Sequence, residues 1–371
     1  MVGAGDVVAL SGDGDPALYR VDIVEQSGLQ LIEAVRVEPG VYMSGDAIED
    51  TPRSAPFTPA VPVFPVFMDL PLIAETDAPH APYLAVGAKP WPGSVALYSA
   101  PSDSGYGLNT LISAPATIGQ TENALFAANS GRRDNGVALR VRLSQGALSS
   151  ASWADVLNGA NFAAIGDGSS DNWELFQYET ATLVGAGTYD LSGRLRGQFG
   201  TDAIMPAAWP IGSLFARLDG IPEQISLPSA ARDLARHYRV GPATRPNGDP
   251  SYVHLVEAFK GVGLRPYSPV HLGMMQGSGG EATFRWVRRT RIDGDSWSGL
   301  DVPLGEGAEL YLVRVVVGGT ILRETTVTQP EWTYSQPMQT SDGISGTYEL
   351  SVAQVSDRFG PGPFTSITVA G

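Results

Sequence analysis

Short stretches of alternating apolar and polar residues, each closed by a turn signal, recur along this chain. From Leu18 to Val24 the alternation puts Tyr19, Val21 and Ile23 on one face and Arg20 and Asp22 on the other, the period of a half-buried strand. Ser27-Gly28 signals a turn, and a second strand follows over 29–37, so the pair reads as a hairpin. Two or three strands do not stand alone. Residues 1–50 are therefore expected to be the end of a small β domain continued upstream or completed by other chains. Leu139-Arg140-Val141-Arg142-Leu143 alternates cleanly. Trp173 to Tyr178 has large residues on both faces, Trp173 and Leu175 against Phe176 and Tyr178, as a strand covered on both sides would.

Other stretches break the rhythm. Residues 51–71 hold six prolines, which fix φ and remove donors, so a central strand is excluded. Phe57, Val61, Val63, Phe64, Val66 and Phe67 lie between them, so 51–79 reads as an extended arm packed along its own domain or a neighbour. Residues 80–227 read as a β-rich domain, with a short helix at Ser152 to Leu157 stopped by Asn158-Gly159. For 228–265 the pattern predicts a short helix, Ser229 to Tyr238, then a Pro-rich loop and a strand or short helix from Tyr252 to Phe259. Residues 266–371 carry seven candidate strands, 269–272, 282–289, 309–316, 320–327, 332–334, 347–355 and 364–369. Turn signals such as Gly279-Gly280, Asp293-Gly294, Gly318-Gly319 and Asp342-Gly343 separate them. Seven short strands in about a hundred residues is the signature of a β-sandwich. The fold class expected is thus mainly β and multi-domain, with barrel or sheet segments.

Composition sharpens this picture. Gly 44 and Pro 28 make 72 of 371 residues, consistent with many turns. There is no cysteine, which rules out disulfides and thiolate metal sites. Net charge is 24 − 39 = −15, and the first fifty residues hold ten acidic groups against Arg20 and Arg36. Such a surface repels phosphate backbones, so free nucleic acid is not an expected partner. No apolar run is long enough for a membrane-spanning helix, and the N-terminus has no secretion-signal pattern.

Residue patterns that carry chemistry are few. His80, His237, His254 and His271 are the four histidines, and none lies three to five residues from another; scattered histidines could still meet in space. Gly-x-Ser-x-Gly and phosphate-loop patterns are missing. Asp13-Gly14-Asp15 and Asp167 to Asn172 raise the question of calcium, but neither supplies a full ligand set, and a hairpin turn is preferred. No catalytic, cofactor-binding or metal-ligating residue is assigned, and no cofactor is expected. Arg285, Arg288, Arg289 and Arg291 form a basic run; on a strand Arg285, Arg289 and Arg291 share a face. These three arginines, with Trp297 and Trp332, are the candidate contacts to a host or partner, weighed against a solvated strand face and core packing.

Two resemblances add to this reading. Trp286, Tyr311 and Tyr348, with the ending from Tyr348 to Phe364, resemble the core positions and last hairpin of fibronectin type III modules. Three stretches resemble the C-terminal part of the "megatron" tail proteins of alphaproteobacterial gene transfer agents, relatives of phage host-specificity tail proteins. They are Trp91 to Tyr98; Val156 to Asn161 with Ile165-Gly166, Trp173 to Gln177 and Leu191 to Thr201; and Gly263 to Leu272 with Trp286 to Trp297. They occur in the family's order over nearly the whole chain.

The resemblance implies a virion structural protein at the tail tip or baseplate, assembled in the bacterial cytoplasm, contributing to tip assembly, envelope attachment and DNA delivery. It implies a homotrimer, hub and distal tail proteins as partners, and a host-surface glycan or protein as target. The family's glycosidase-like barrel lies upstream of the part seen here, so no catalytic residue carries over and no enzyme activity is expected. The competing reading is a secreted bacterial carbohydrate-binding adhesin with a fibronectin-like module; an envelope-degrading enzyme is the third.

Overall fold

The computed structural model describes residues 1–12, 16–41, 61–74, 76–294 and 301–370. The chain divides into two compact units, Met1–Pro59 and Ala60–Gly371.

The first unit is an antiparallel meander of Val7–Leu10, Ala17–Ser27 and Leu29–Val37. Gly28, with φ of 78°, makes the tight turn that a side chain would resist. The expected single face of Tyr19, Val21 and Ile23 is split: Val21 pairs with Ala34 but Ile23 pairs with Glu33, so Asp22 is an extra, bulged residue. A bulge moves every later residue to the other face. Val21 is buried and Ile23 is 49 % exposed as a result. Among the described residues of this unit, Val21 alone is buried. The segment 42–60, with Phe57 of the expected arm, lies outside the described residues.

The second unit begins with layers. Phe64–Met68, Tyr83–Gly87 and Glu223–Gln224 form a sheet with Tyr83–Gly87 in the middle. Phe64–Met68 is an edge strand, where Pro65 removes no ladder hydrogen bond that the sheet needs. One face of this sheet offers Val63, Phe67, Leu84 and Val86 to a four-stranded sheet. That sheet has the order Val253–Glu257, Arg236–Pro242, Val95–Ala100, Gly107–Ile112. Phe67 sits between the rings of Tyr238 and Phe259, at centroid distances of 5.1 and 5.2 Å. The opposite face carries Val66, Met68 and Ala85 onto Ile118, Ala164, Trp173 and Leu175.

Those last residues belong to the outer wall of a closed barrel. Its six antiparallel strands run, in spatial order, Ile118–Thr121, Leu139–Leu143, Thr188–Gln198, Trp173–Gly185, Phe162–Gly166 and Leu214–Arg217. The last pairs back onto the first and closes the ring. Closure leaves no free strand edge. Leu139, Val141 and Leu143 point inward with Ile165, Phe176, Tyr178, Leu191 and Phe215. Arg140 and Arg142 point outward to Asp190 and Glu122. The two-faced pattern of 173–178 is thereby explained: Phe176 and Tyr178 fill the barrel, while Trp173 and Leu175 meet the neighbouring sheet. The expected short helix is present at Trp153–Leu157, with Ser152 and Asp155 forming a capping box.

Two expectations are corrected here. The helix read over Ser229 to Tyr238 is a single 3-10 turn, Ser229–Ala231, followed by the strand Arg236–Pro242. Pairing of that strand with Val95–Ala100 on one side and Val253–Glu257 on the other outweighs the local preference. Nor is the chain order 51–79, 80–227, 228–265 a linear succession of bodies. Strands from 64 to 112 and from 223 to 257 share sheets and a core, and the barrel of 118–217 is inserted between them.

The C-terminal region is a sandwich. A three-stranded sheet, Val270–Gln276, Ala282–Val287 and Glu331–Tyr334, faces Thr320–Val327, Tyr311–Val317, Tyr348–Ser356 and Thr365–Val369. Phe284, Trp286, Tyr311, Trp332, Tyr334 and Tyr348 fill the space between. This three-on-four arrangement, with Trp286, Tyr311 and Tyr348 in the core, is that of a fibronectin type III-like module. The chain is mainly β and multi-domain, as expected.

Candidate functional site

The residues expected to make contacts lie in different surroundings. The strand that holds Arg285 ends at Val287, so the predicted common face does not extend to Arg289 and Arg291. Arg285 pairs across the sheet with Glu331 and is largely exposed. Arg289 donates to both Asp202 oxygens, at 2.9 and 3.1 Å, and stacks 5.1 Å above the Tyr267 ring. Arg291 is buried against Glu306 at 2.9 Å and donates to the Gly263 and Gly305 carbonyls. Arg289 and Arg291 thus hold the sandwich to the segments before it. Trp332 is a core residue, stacked between Phe284 and Tyr334. Trp297 lies outside the described residues.

Asp167 to Asn172 forms a self-satisfied turn: the Asp167 carboxylate accepts from Ser169 N, Ser169 Oγ and Asn172 Nδ2. Burial acts against its ionised form, but those bonds hold its carboxyl below the usual range. Asp171 pairs with Lys260 at 2.7 Å. Asp13-Gly14-Asp15 lies outside the described residues.

Inside the barrel lies a charged cluster that pattern reading missed. Arg196 makes a forked bond to Glu174, at 2.5 and 2.8 Å, with both side chains fully buried. Glu174 also accepts from Trp209 Nε1 at 2.7 Å and Gly197 N at 3.2 Å. Next to them Arg194 donates twice to Asp134, at 2.9 and 2.8 Å, and once to the Leu191 carbonyl. The turn that follows is built on left-handed residues: Gly197, Phe199 and Gly200 have φ of 61°, 53° and 75°. Thr201 Oγ1 then accepts from Leu175 N and donates to the Gln198 carbonyl. Glu174's oxygens are consumed by these donors, so the cluster clamps the barrel and offers no reactive group.

A different arrangement lies on the four-stranded sheet. His237 Nδ1 and His254 Nε2 are 3.0 Å apart, their rings nearly coplanar at 11°. Arg239 is paired opposite His254, so the two histidines are diagonal neighbours on adjacent strands. Asp103, in the connection after Val95–Ala100, brings a carboxylate oxygen to 3.9 Å from His254 Nε2. Tyr106 and Arg239 both donate to this oxygen and hold the carboxyl below its ordinary value, the tyrosine bond being the larger cause. The signal for this cluster was pairing register, which spacing along the chain does not reveal. A cleft of about 530 Å³ elsewhere in this unit is lined by Phe64, Lys89, Gln120, Glu122, Arg142 and Gln145.

Residues 116–216 match the family model described as Rcc01698-like, C-terminal. Its limits coincide with the barrel, and the motif residues Trp173 to Gln177 and Leu191 to Thr201 are those that build its buried clamp. No curated protein matches the chain. Among solved structures, the rat CD45 extracellular region, domains d3-d4, aligns at 9% identity and a TM-score of 0.22, covering 32% of this chain and 55% of that one. The chicken CNTN1 FN1-FN3 domains align at 12% identity and a TM-score of 0.21, covering 68% of this chain and 66% of that one. This chain therefore spans just over half of the first fragment and about two thirds of the second.

Proposed function

We propose that this chain is a structural component of the tail tip of a gene transfer agent or a related phage-like particle, and that it catalyses no reaction. The observation that carries this reading is the match of 116–216 to the Rcc01698-like family, a group related to gene transfer agents, over the barrel whose motifs resemble the megatron tail proteins. The polar groups support it: the barrel's charges are spent on one another, and Arg289 and Arg291 are spent on joining the sandwich to the rest. In this reading the chain acts in several copies, trimeric about the tail axis, with hub and distal tail proteins, and the sandwich is displayed toward a host-surface glycan or protein. The test is electron microscopy of particles decorated with an antibody raised against the purified chain. Label confined to the free end of the tail is expected. Label on the capsid, or on no part of the particle, would refute the reading.

A further inference from the structure

We infer that His237, His254 and Asp103 form a binding site for a divalent transition-metal ion, zinc being the best fit. Three elements that converge at one corner of a single sheet supply the ligands: the strands Arg236–Pro242 and Val253–Glu257 and the connection after Val95–Ala100. One ligand atom from each lies within 4.8 Å of the others. Imidazole nitrogens suit zinc, nickel and copper, and one carboxylate beside two imidazoles leaves the fourth position of a tetrahedral ion for water.

The two imidazoles need only a small adjustment, and the Asp103 oxygen, 3.9 Å from His254 Nε2, must move closer to them. Zinc–nitrogen bonds of about 2.0–2.1 Å at a tetrahedral angle put two nitrogens about 3.3 Å apart. The observed separation is 3.0 Å. The rings now meet edge to edge with one proton between Nδ1 and Nε2. Zinc takes the place of that proton, which moves to the outer nitrogen of the ring that carried it. A rotation of each ring about its own χ2 then turns both lone pairs toward the ion.

The surroundings are built as metal sites require, because ligating carboxylates are themselves held by hydrogen bonds. Asp103 is fixed through Oδ1 by Tyr106 and by Arg239, so the ion either displaces one of these donors or takes the other carboxylate oxygen. Arg239 is in turn held by the Asn247 carbonyl at 3.1 Å and by the Tyr106 ring beneath it. His254 and Asp103 are 39% and 51% exposed, so an ion reaches them without any opening of the fold. The ion would tie the connection at 103 to the strand pair.

The test is calorimetric titration of Zn²⁺ into the untagged, chelator-treated full chain at neutral pH. One saturable site per chain is expected. His237→Ala and His254→Ala should each weaken it by about tenfold or more. His80→Ala and His271→Ala should leave it unchanged. Co²⁺ added to the unsubstituted chain should give the intense visible bands of a four-coordinate ion, which guards against a variant that merely misfolds. The inference is overturned by absent or non-saturating binding, by binding that survives loss of both histidines, or by the weak spectrum of hexa-aqua cobalt.

Discussion

Glu174 and Arg196 show how much a single buried pair decides. Two ions taken out of water are tolerable only because each is matched and every remaining lone pair is used. Glu174→Gln leaves Arg196 with only the Asp134 carboxylate, 3.6 Å away and already bonded to Arg194, and the expected loss is about 3–5 kcal/mol of stability. Chemical denaturation of the variant measures this directly, and a loss under about 1 kcal/mol would mean that the barrel hydrates the arginine. Asp69 gives a prediction in pH. It accepts from the backbone N–H groups of Lys260, Gly261 and Val262 at 2.8–2.9 Å, and burial, the dominant cause, pushes its carboxyl from 3.8 up to about 6. The folded state therefore binds this proton more tightly than the unfolded one. The contribution is complete below about 4 and is lost as pH rises to about 6, with a slope of at most about 1.4 kcal/mol per pH unit. Asp69→Asn should flatten that part of the stability–pH curve; an unaltered slope would assign it to another group. Both residues were visible in the sequence, but nothing in their spacing shows that they are buried. Glu174 has an apolar neighbour on each side, yet its partner is twenty-two positions away on the next strand.

Elements were legible where local chemistry and final environment agree. Leu139 to Leu143 alternates because one face fills the barrel and the other meets water and counter-charges. Ser152 to Leu157 is a helix because its cap is local. The stretch after Pro228 fails as a helix because it pairs on both sides, with 253–257 and with 95–100, the latter over a hundred residues away. The turn from Gly197 to Thr201 is intermediate: its glycines are obvious, their purpose is not. Gly200 has φ of 75°, and a Cβ there would run into the ring of Tyr267, on the segment leading into the sandwich. Gly200→Ala therefore combines left-handed strain with a clash against a packed ring, together about 1–3 kcal/mol. Because Arg289 stacks on that same ring, the variant should also loosen the joint. Amide exchange would read this as faster exchange around 200–204 and 265–268, with the barrel strands protected as before. Uniform loss of protection would instead place the turn inside the barrel's own folding unit.

At the scale of the molecule, the composition foretold β modules, but not that the barrel of 118–217 would be threaded into the strands around it, because insertion is a matter of which distant strands pair. The two compact units also differ in kind. Ala60–Gly371 has layered cores in which Trp173, Trp209, Phe215, Tyr238 and Phe284 are fully buried. Met1–Pro59 has a three-stranded sheet with Val7, Leu10, Leu29, Leu31 and Val35 all more than half exposed. Val21 alone is buried among the described residues of this unit, and a small sheet without a packed apolar face is not stable by itself, so a peptide of residues 1–59 should show no cooperative thermal transition by circular dichroism. Residues 61–371 should melt in sharp transitions of their own. A stably folded 1–59 peptide that is monomeric would show that this sheet supplies its own core, and the multi-copy reading would lose its need for neighbours at that end of the chain.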